Sequence, residues 1–138
     1  MDGDGGMKLQ STVADPATGG DAVSRRVIGC IIRVHRVLGP GFIESVYHRA
    51  LVVELTRQGL AVQTEVEVPV YYEGTHVGTH RLDLVVEGRL IVELKTVEAL
   101  SKAHYAQLRS YLKASGIPHG ILVNFSTERA DYRRVTRP

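Results

Sequence analysis

Between Arg81 and Lys95 the chain reads RLDLVVEGRLIVELK. Asp83, Glu93 and Lys95 fall at odd positions with Val85 and Ile91, and every even position outside the Gly88 turn is aliphatic: Leu82, Leu84, Val86, Leu90, Val92 and Leu94. Side chains alternate faces along a strand, and Glu87-Gly88 is a turn signal between two such strands. If the connecting loop has an odd number of residues, cross-strand partners share parity. One face of the hairpin is then wholly apolar, and Asp83, Glu93 and Lys95 emerge together from the other. An even loop would split both sets, and a slip of that kind turns a strand's core face the wrong way. A three-residue loop, Val86-Glu87-Gly88 with a left-handed Gly88, satisfies the pattern.

Two carboxylates on one half-buried face repel each other, and each holds its proton more tightly unless a cation intervenes. A hard divalent ion answers this: Mg²⁺ or Mn²⁺ accepts one or two carboxylates and keeps several waters. Lys95, two residues after Glu93, points to the same side, where it could orient or deprotonate a water or stabilise charge on a phosphate. Spacing alone leaves a second reading open, in which Lys95 closes a cross-strand salt bridge with Glu93 or Asp83.

The elements that must position these residues follow from periodicity. Val23, Val27, Ile31, Val34 and Leu38 recur at helical spacing from Asp21, a candidate N-cap, to Leu38, and Gly39-Pro40-Gly41 stops the helix. A second helix is expected over 43–58, closed by Gly59. Residues 61–68 alternate as a half-buried strand, and Pro69 confines that strand to an edge or an end. Extended chain continues through Tyr72, Glu73-Gly74 turns, and His76-Val77 opens a possible return strand ahead of 81–86 and 90–96. A third helix spans about 101–115 and is broken by Gly116-Ile117-Pro118. Residues 120–125 read as a buried strand, and the remainder as a polar, basic tail. The order ααβββ(β)αβ, with a helix between the last two strands, implies an α/β fold: a mixed central sheet flanked by helices.

The 138 residues suit one domain. Residues 1–20, rich in Gly, Asp, Ser and Thr, read as a disordered leader and 21–138 as the domain. A 43% hydrophobic and 23% charged composition is that of a soluble globular chain. The single cysteine, Cys30, rules out an intrachain disulfide and Cys-rich zinc sites, and it sits in an apolar helical pattern as a small hydrophobe. No apolar run reaches the roughly 18 residues of a membrane span, and the acidic, Gly-rich start is unlike a secretory signal, so a cytoplasmic protein is expected. A net charge of +2 argues little about partners by itself. Two clusters, Arg25, Arg26, Arg33 and Arg36 early, and Arg129, Arg133, Arg134 and Arg137 late, could each meet phosphates or be solvated surface.

Asp83 with Glu93-Leu94-Lys95 resembles the D…(D/E)-x-K signature of the PD-(D/E)XK nuclease superfamily, with Leu82 in place of the proline. Upstream, Gly41-Phe42-Ile43-Glu44-Ser45-Val46-Tyr47 resembles the motif of the bacterial GxxExxY family, a small branch of it. His35, Leu38-Gly39-Pro40-Gly41, Tyr71-Tyr72, Gln107 and Ser110-Tyr111-Leu112 extend the likeness over about Val23 to Phe125. The resemblance implies a restriction-endonuclease-like fold and metal-dependent cleavage of nucleic acid, DNA before RNA. It implies that Asp83 and Glu93 hold Mg²⁺ or Mn²⁺, that Glu44 completes the metal site and that Lys95 serves the water. Gln107 and Tyr111, one turn apart, resemble the Q-x-x-x-Y pair of RecB-like nucleases, and Gly78 resembles the glycine ahead of their second motif. His104 could approach the same site. His35 reads as a structural helix residue, and His76 with His80 is rejected as a zinc pair because the segment is extended. The competing function is a non-catalytic module of the same fold that binds nucleic acid or a protein partner. The small size suggests a homodimer or larger complex, formed through the first helix.

Overall fold

The computed structural model describes residues 18–138, with side chains from Ala22 onward. Two helices, α1 (Thr18–Leu38) and α2 (Glu44–Arg57), precede three strands, β1 (Val62–Tyr72), β2 (Thr75–Val86) and β3 (Leu90–Lys95). Helix α3 (Lys102–Ser115) then crosses to β4 (His119–Asn124), and β5 (Asp131–Thr136) closes the order. The strands form one five-stranded sheet, β1-β2-β3-β4-β5, antiparallel except for the β3–β4 pair that α3 connects. The fold class is therefore the expected one, a mixed sheet flanked by helices. Among the described residues no helix is long and apolar enough to cross a membrane.

Three readings of the sequence need correction. Most of the expected leader, 1–17, lies outside the described residues, but α1 already runs from Thr18, so Asp21 is inside the helix and not its N-cap. The separate return strand at His76 does not exist, because 75–86 is a single strand without a break. Residues read as a basic tail form β5: Val135 reaches the core while Arg133 and Arg134 point outward, an alternation too short and too charged to be read as a strand. Pro69 does mark an edge, since β1 has a neighbour on one side only.

The parity argument meets its test in the β2–β3 ladder. Leu84 pairs with Val92, Val85 with Ile91 and Val86 with Leu90, so partners share parity. The loop is Glu87-Gly88-Arg89, one residue later than expected but still odd. Glu87 and Gly88 are both left-handed (φ 55° and 64°), and the Arg89 amide donates to the Val86 carbonyl at 3.0 Å, which is the primed turn that matches strand twist.

Two cores result. Leu84, Val86, Leu90, Val92 and Leu94 pack with α1 and α2 on one face, joined by Ile121, Val123 and Phe125 of β4 and its end. Val85, Ile91, Leu122 and Val135 pack with Leu108, Tyr111 and Leu112 of α3 on the other. One even-numbered residue breaks the pattern: Leu82 belongs to the α3 side. The switch falls between Leu84 and Leu82, at Asp83, and Glu65, which the β1–β2 register sets opposite Asp83, is itself left-handed (φ 50°). The face that carries Asp83 and Glu93 is thus a second buried layer under α3 and not a half-solvated surface.

Gly120 lets that layer close. A methyl group there would stand 3.0 Å from Leu108 Cδ1, a contact only a side-chain shift would relieve. Gly120→Val is expected to destabilise the chain by about 1–3 kcal/mol through overpacking. Denaturant melts check it: an unchanged midpoint would mean that α3 does not rest on β4 as described.

Candidate active site

The β2–β3 ladder ends at Leu84 and Val92, and the strands fork there. The next residues outward are Asp83 and Glu93. In place of a backbone carbonyl, the Asp83 carboxylate accepts the Leu94 amide, at 2.9 Å to Oδ2. This hydrogen bond fixes the Asp83 side chain in the fork and leaves its other oxygen uncommitted to Leu94. Glu93 is buried, and its Oε1 has no hydrogen-bond partner. Burial, with the Asp83 charge next, pushes the Glu93 carboxyl up to about 8; Lys95 and a hydrogen bond from the Asp83 backbone oppose that rise.

Lys95 lies at the end of β3, its Nζ 3.7 Å from Glu93 Oε2. It also donates to Gln107 Oε1 of α3 at 2.8 Å. Tyr111, one turn further along α3, is buried, and its hydroxyl is pushed up to about 12 by burial and then by the nearby charges of Glu93 and Asp83. Its ring lies against that of His80, centroids 4.7 Å apart.

Glu44 opens α2 from the opposite side of the fork. Its side chain is more exposed than those of Asp83 and Glu93, yet its carboxyl is raised by partial burial and by the Asp83 charge, and eased by Lys95 and His48. The preceding turn explains its placement. Gly41 adopts φ 114°, which a side chain would strain. The Tyr47 hydroxyl donates to the Gly39 carbonyl and accepts the Phe42 amide at 3.2 Å. The Tyr47 ring is fully buried and stacks on Phe125, 4.6 Å between centroids. Gly41, Glu44 and Tyr47 therefore form one device: a turn, a carboxylate at the helix start, and an aromatic bolt into the core beside the end of β4.

The structure thus brings Asp83, Glu93, Lys95 and Gln107 together, with Tyr111 behind them and Glu44 facing them. Other sequence candidates lie elsewhere. His104 Nδ1 accepts the Ser101 amide at 3.0 Å, so this ring caps α3 and does not enter the site. His35 is buried, joined through Nε2 to the Thr127 carbonyl at 2.8 Å. His76 faces Thr79. Gly78 has open space where a Cβ would be, so packing does not require glycine there. Cys30 is buried, and burial above all holds its thiol up to about 11, an unreactive state at neutral pH.

Two participants were missed. His48 Nε2 lies 3.3 Å from the Asp83 carbonyl oxygen; its spacing of four from Glu44, on the same helix face, was the available signal. Asn124, buried at the end of β4, accepts the Val97 amide at 3.1 Å and donates to the Val97 carbonyl at 2.8 Å, clamping the chain just past Lys95. Nothing in the local sequence marks that role.

Among the described residues, no group of three or more His, Cys, Asp or Glu side chains stands ready at ligating distances. The donor set still suits a hard cation. An unpartnered buried carboxylate oxygen beside a second carboxylate, with a third across the fork, fits an ion that takes few protein ligands and retains waters.

A mixed sheet with helices on both faces, and acidic groups with a lysine where two strands fork, define a nuclease-like α/β domain. The chain belongs to the PD-(D/E)XK nuclease superfamily, whose profile matches residues 21–135. Nucleases of this superfamily generally use divalent metal ions. The crystal structure of SSO0001 is similar with a TM-score of 0.56 and 24% identity, over 68% of this chain and 50% of that one. The alkaline exonuclease LHK-Exo from Laribacter hongkongensis is similar with a TM-score of 0.52 and 11% identity, over 91% of this chain and 73% of its own. At these identities the likeness is one of fold, and this chain spans half the length of the first. No curated protein matches the sequence.

The Glu93 environment predicts a pH signature. A carboxyl whose folded pKa is raised binds more protons folded than unfolded between pH 4.5 and about 8, so its contribution to stability falls as pH rises through that window. Glu93→Gln removes this loss. Without divalent ions, the variant is expected to gain stability relative to wild type between pH 5 and pH 8. Urea midpoints at several pH values check it; parallel curves would place Glu93 in water.

Proposed function

We propose that this domain is a divalent-metal-dependent nuclease that hydrolyses phosphodiester bonds, in DNA by preference, and that it belongs to the GxxExxY branch of its superfamily. One observation carries the reading: the buried, unpartnered Glu93 oxygen beside Asp83, with Lys95 alongside. Asp83 and Glu93, with Glu44 across the fork, would hold Mg²⁺ or Mn²⁺. When bound, such an ion polarises the scissile phosphate and lowers the pKa of a coordinated water.

The chain's own groups do the rest. Asp83 is held by the Leu94 amide and so presents a fixed oxygen. Lys95, tethered by Gln107, presents its ammonium where a water and a phosphate oxygen would meet, orienting the one or stabilising charge on the other. Tyr111, its hydroxyl held protonated, closes the floor behind Glu93 as a neutral donor. The turn bolted by Tyr47 supports the GxxExxY assignment, because it gives the Gly and Tyr of that motif the task of setting Glu44. The rival reading, a binding module that does not cut, is favoured by the ammonium of Lys95 already having two partners.

Incubation of the purified chain with labelled linear DNA, plasmid and RNA, in Mg²⁺ or Mn²⁺, separates the two. Metal-dependent cleavage by the wild type is expected, and a fall of about 10²–10⁴-fold in Lys95→Ala and Asp83→Ala. Equal cutting by both variants would remove these residues from the chemistry. Binding without cutting by every version would favour the module. Because Glu93 must give up a proton, Mn²⁺ affinity measured by calorimetry is expected to rise with pH up to about 8 and then level.

A further inference from the structure

The early and late arginine clusters are far apart in sequence, and most of their described members are occupied. Arg26 donates to the Gln58 carbonyl, Arg33 pairs with Glu54, and Arg133 with Asp131. Arg36 and Arg129, by contrast, have no ion pair within 4 Å and converge on one pocket. It lies between the end of α1 and the chain that joins β4 to β5, with a volume of about 590 Å³. Ile32 and Ala130 give it an apolar floor, the His35 and Tyr132 rings flank it, and Glu128 stands at the rim.

The pocket opens at the same end of the sheet as the candidate active site. Lys95 pairs with Asn124, and Asn124 with Asp131, the residue before Tyr132. Two strand spacings of about 4.8 Å put this rim about 10 Å from Lys95. That is about three nucleotide steps at 3.4 Å of rise each. His35 further ties the two places together, for its Nε2 holds the Thr127 carbonyl and its ring stacks on Phe125, against which the Tyr47 bolt also rests. Two guanidiniums with no carboxylate to neutralise them, beside a half-exposed phenol ring over an apolar floor, form a receptor for an anion attached to a flat ring. Guanidinium suits phosphate oxygens, and the ring and floor suit a base or sugar.

We infer that this pocket is a flanking subsite that grips the phosphodiester backbone of a nucleic-acid strand about three nucleotides from the bond at Lys95. Arg36 and Arg129 hold the phosphate, and Tyr132 lies against the nucleotide. The inference rests on the nuclease reading for its ligand, but its readout is binding and not cleavage. Glu128 opposes the phosphate, so its removal has the opposite sign.

Fluorescence polarisation with labelled DNA and RNA oligonucleotides in metal-free buffer, over a range of salt, tests this on the full chain. Arg36→Ala with Arg129→Ala is expected to weaken binding by about tenfold or more and to flatten the salt slope by about 1.4, at about 0.7 per phosphate lost on a single strand. Glu128→Gln tightens binding. Arg89→Ala, in the turn at the opposite end of β3, leaves the slope unchanged. If the double variant keeps the wild-type slope, or Arg89→Ala flattens it equally, the subsite is overturned, and metal-dependent cutting by the wild type would still uphold the nuclease reading. If the slope falls as expected but no metal supports cutting, the subsite stands and the nuclease reading fails. A nucleoside monophosphate binding as tightly as the oligonucleotides would replace a strand site by a free-nucleotide site and so overturn the proposal.

Discussion

The hydrogen bond from the Leu94 amide to the Asp83 carboxylate governs the geometry around it. An antiparallel ladder would satisfy that amide with a carbonyl of β2, and the two strands would run on together. Here a side chain takes the carbonyl's place, the ladder stops at Leu84 and Val92, and β2 is free to turn away. A buried amide left without a partner costs about 1–3 kcal/mol, so the fork persists only while Asp83 holds it. The same bond aims the carboxylate. The fold and the acidic site therefore share one interaction, and neither can shift without the other.

From that fork the rest of the layout follows. Leu82 passes to the α3 side as β2 turns, which draws the projecting part of the β1–β2 hairpin into the second core. β3 continues alone toward Lys95, flanked by β4 on one side and by the opening on the other. α3 supplies Gln107 and Tyr111 from one face, and α2 brings Glu44 from the other. Asn124 clamps the exit of β3, so Lys95 sits at the last fixed residue of a strand and not on a loose segment. Groups held on strand ends and helix starts keep their geometry better than groups on loops.

Much of this was legible from residue order. The even–odd split of 82–94 fixed the shared parity of Asp83 and Glu93, because a register slip would have exposed six aliphatic side chains. Pro69 marked an edge strand, and the helix ends were announced by glycines at 39, 59 and 116, each in fact left-handed. What was hidden depended on tertiary contact. β5 is short and charged, and only pairing with β4 makes it a strand. Leu82 obeys parity in sequence but changes core because the sheet bends at Asp83. His104 stands at site-like spacing before Gln107, yet the nearer demand of an unsatisfied helix-start amide claims its ring. His48 was overlooked because its partner is a backbone carbonyl 35 residues away, which no side-chain pattern encodes.

The charges near the fork also decide between a structural and an ion-binding role for the cluster. Three carboxyl groups, Glu44, Asp83 and Glu93, face one ammonium, Lys95, so full ionisation would leave two negative charges unbalanced in a partly dry space. The protein relieves this without an ion by keeping a proton on Glu93, which still leaves one of its oxygens with no partner. A salt bridge kept for stability would need one carboxylate and satisfied oxygens, and an apolar pair of the same volume would serve as well or better. An excess of acids, with a protonated and under-bonded member at its centre, is instead the resting form of a place where a small cation displaces the proton and supplies the missing partner.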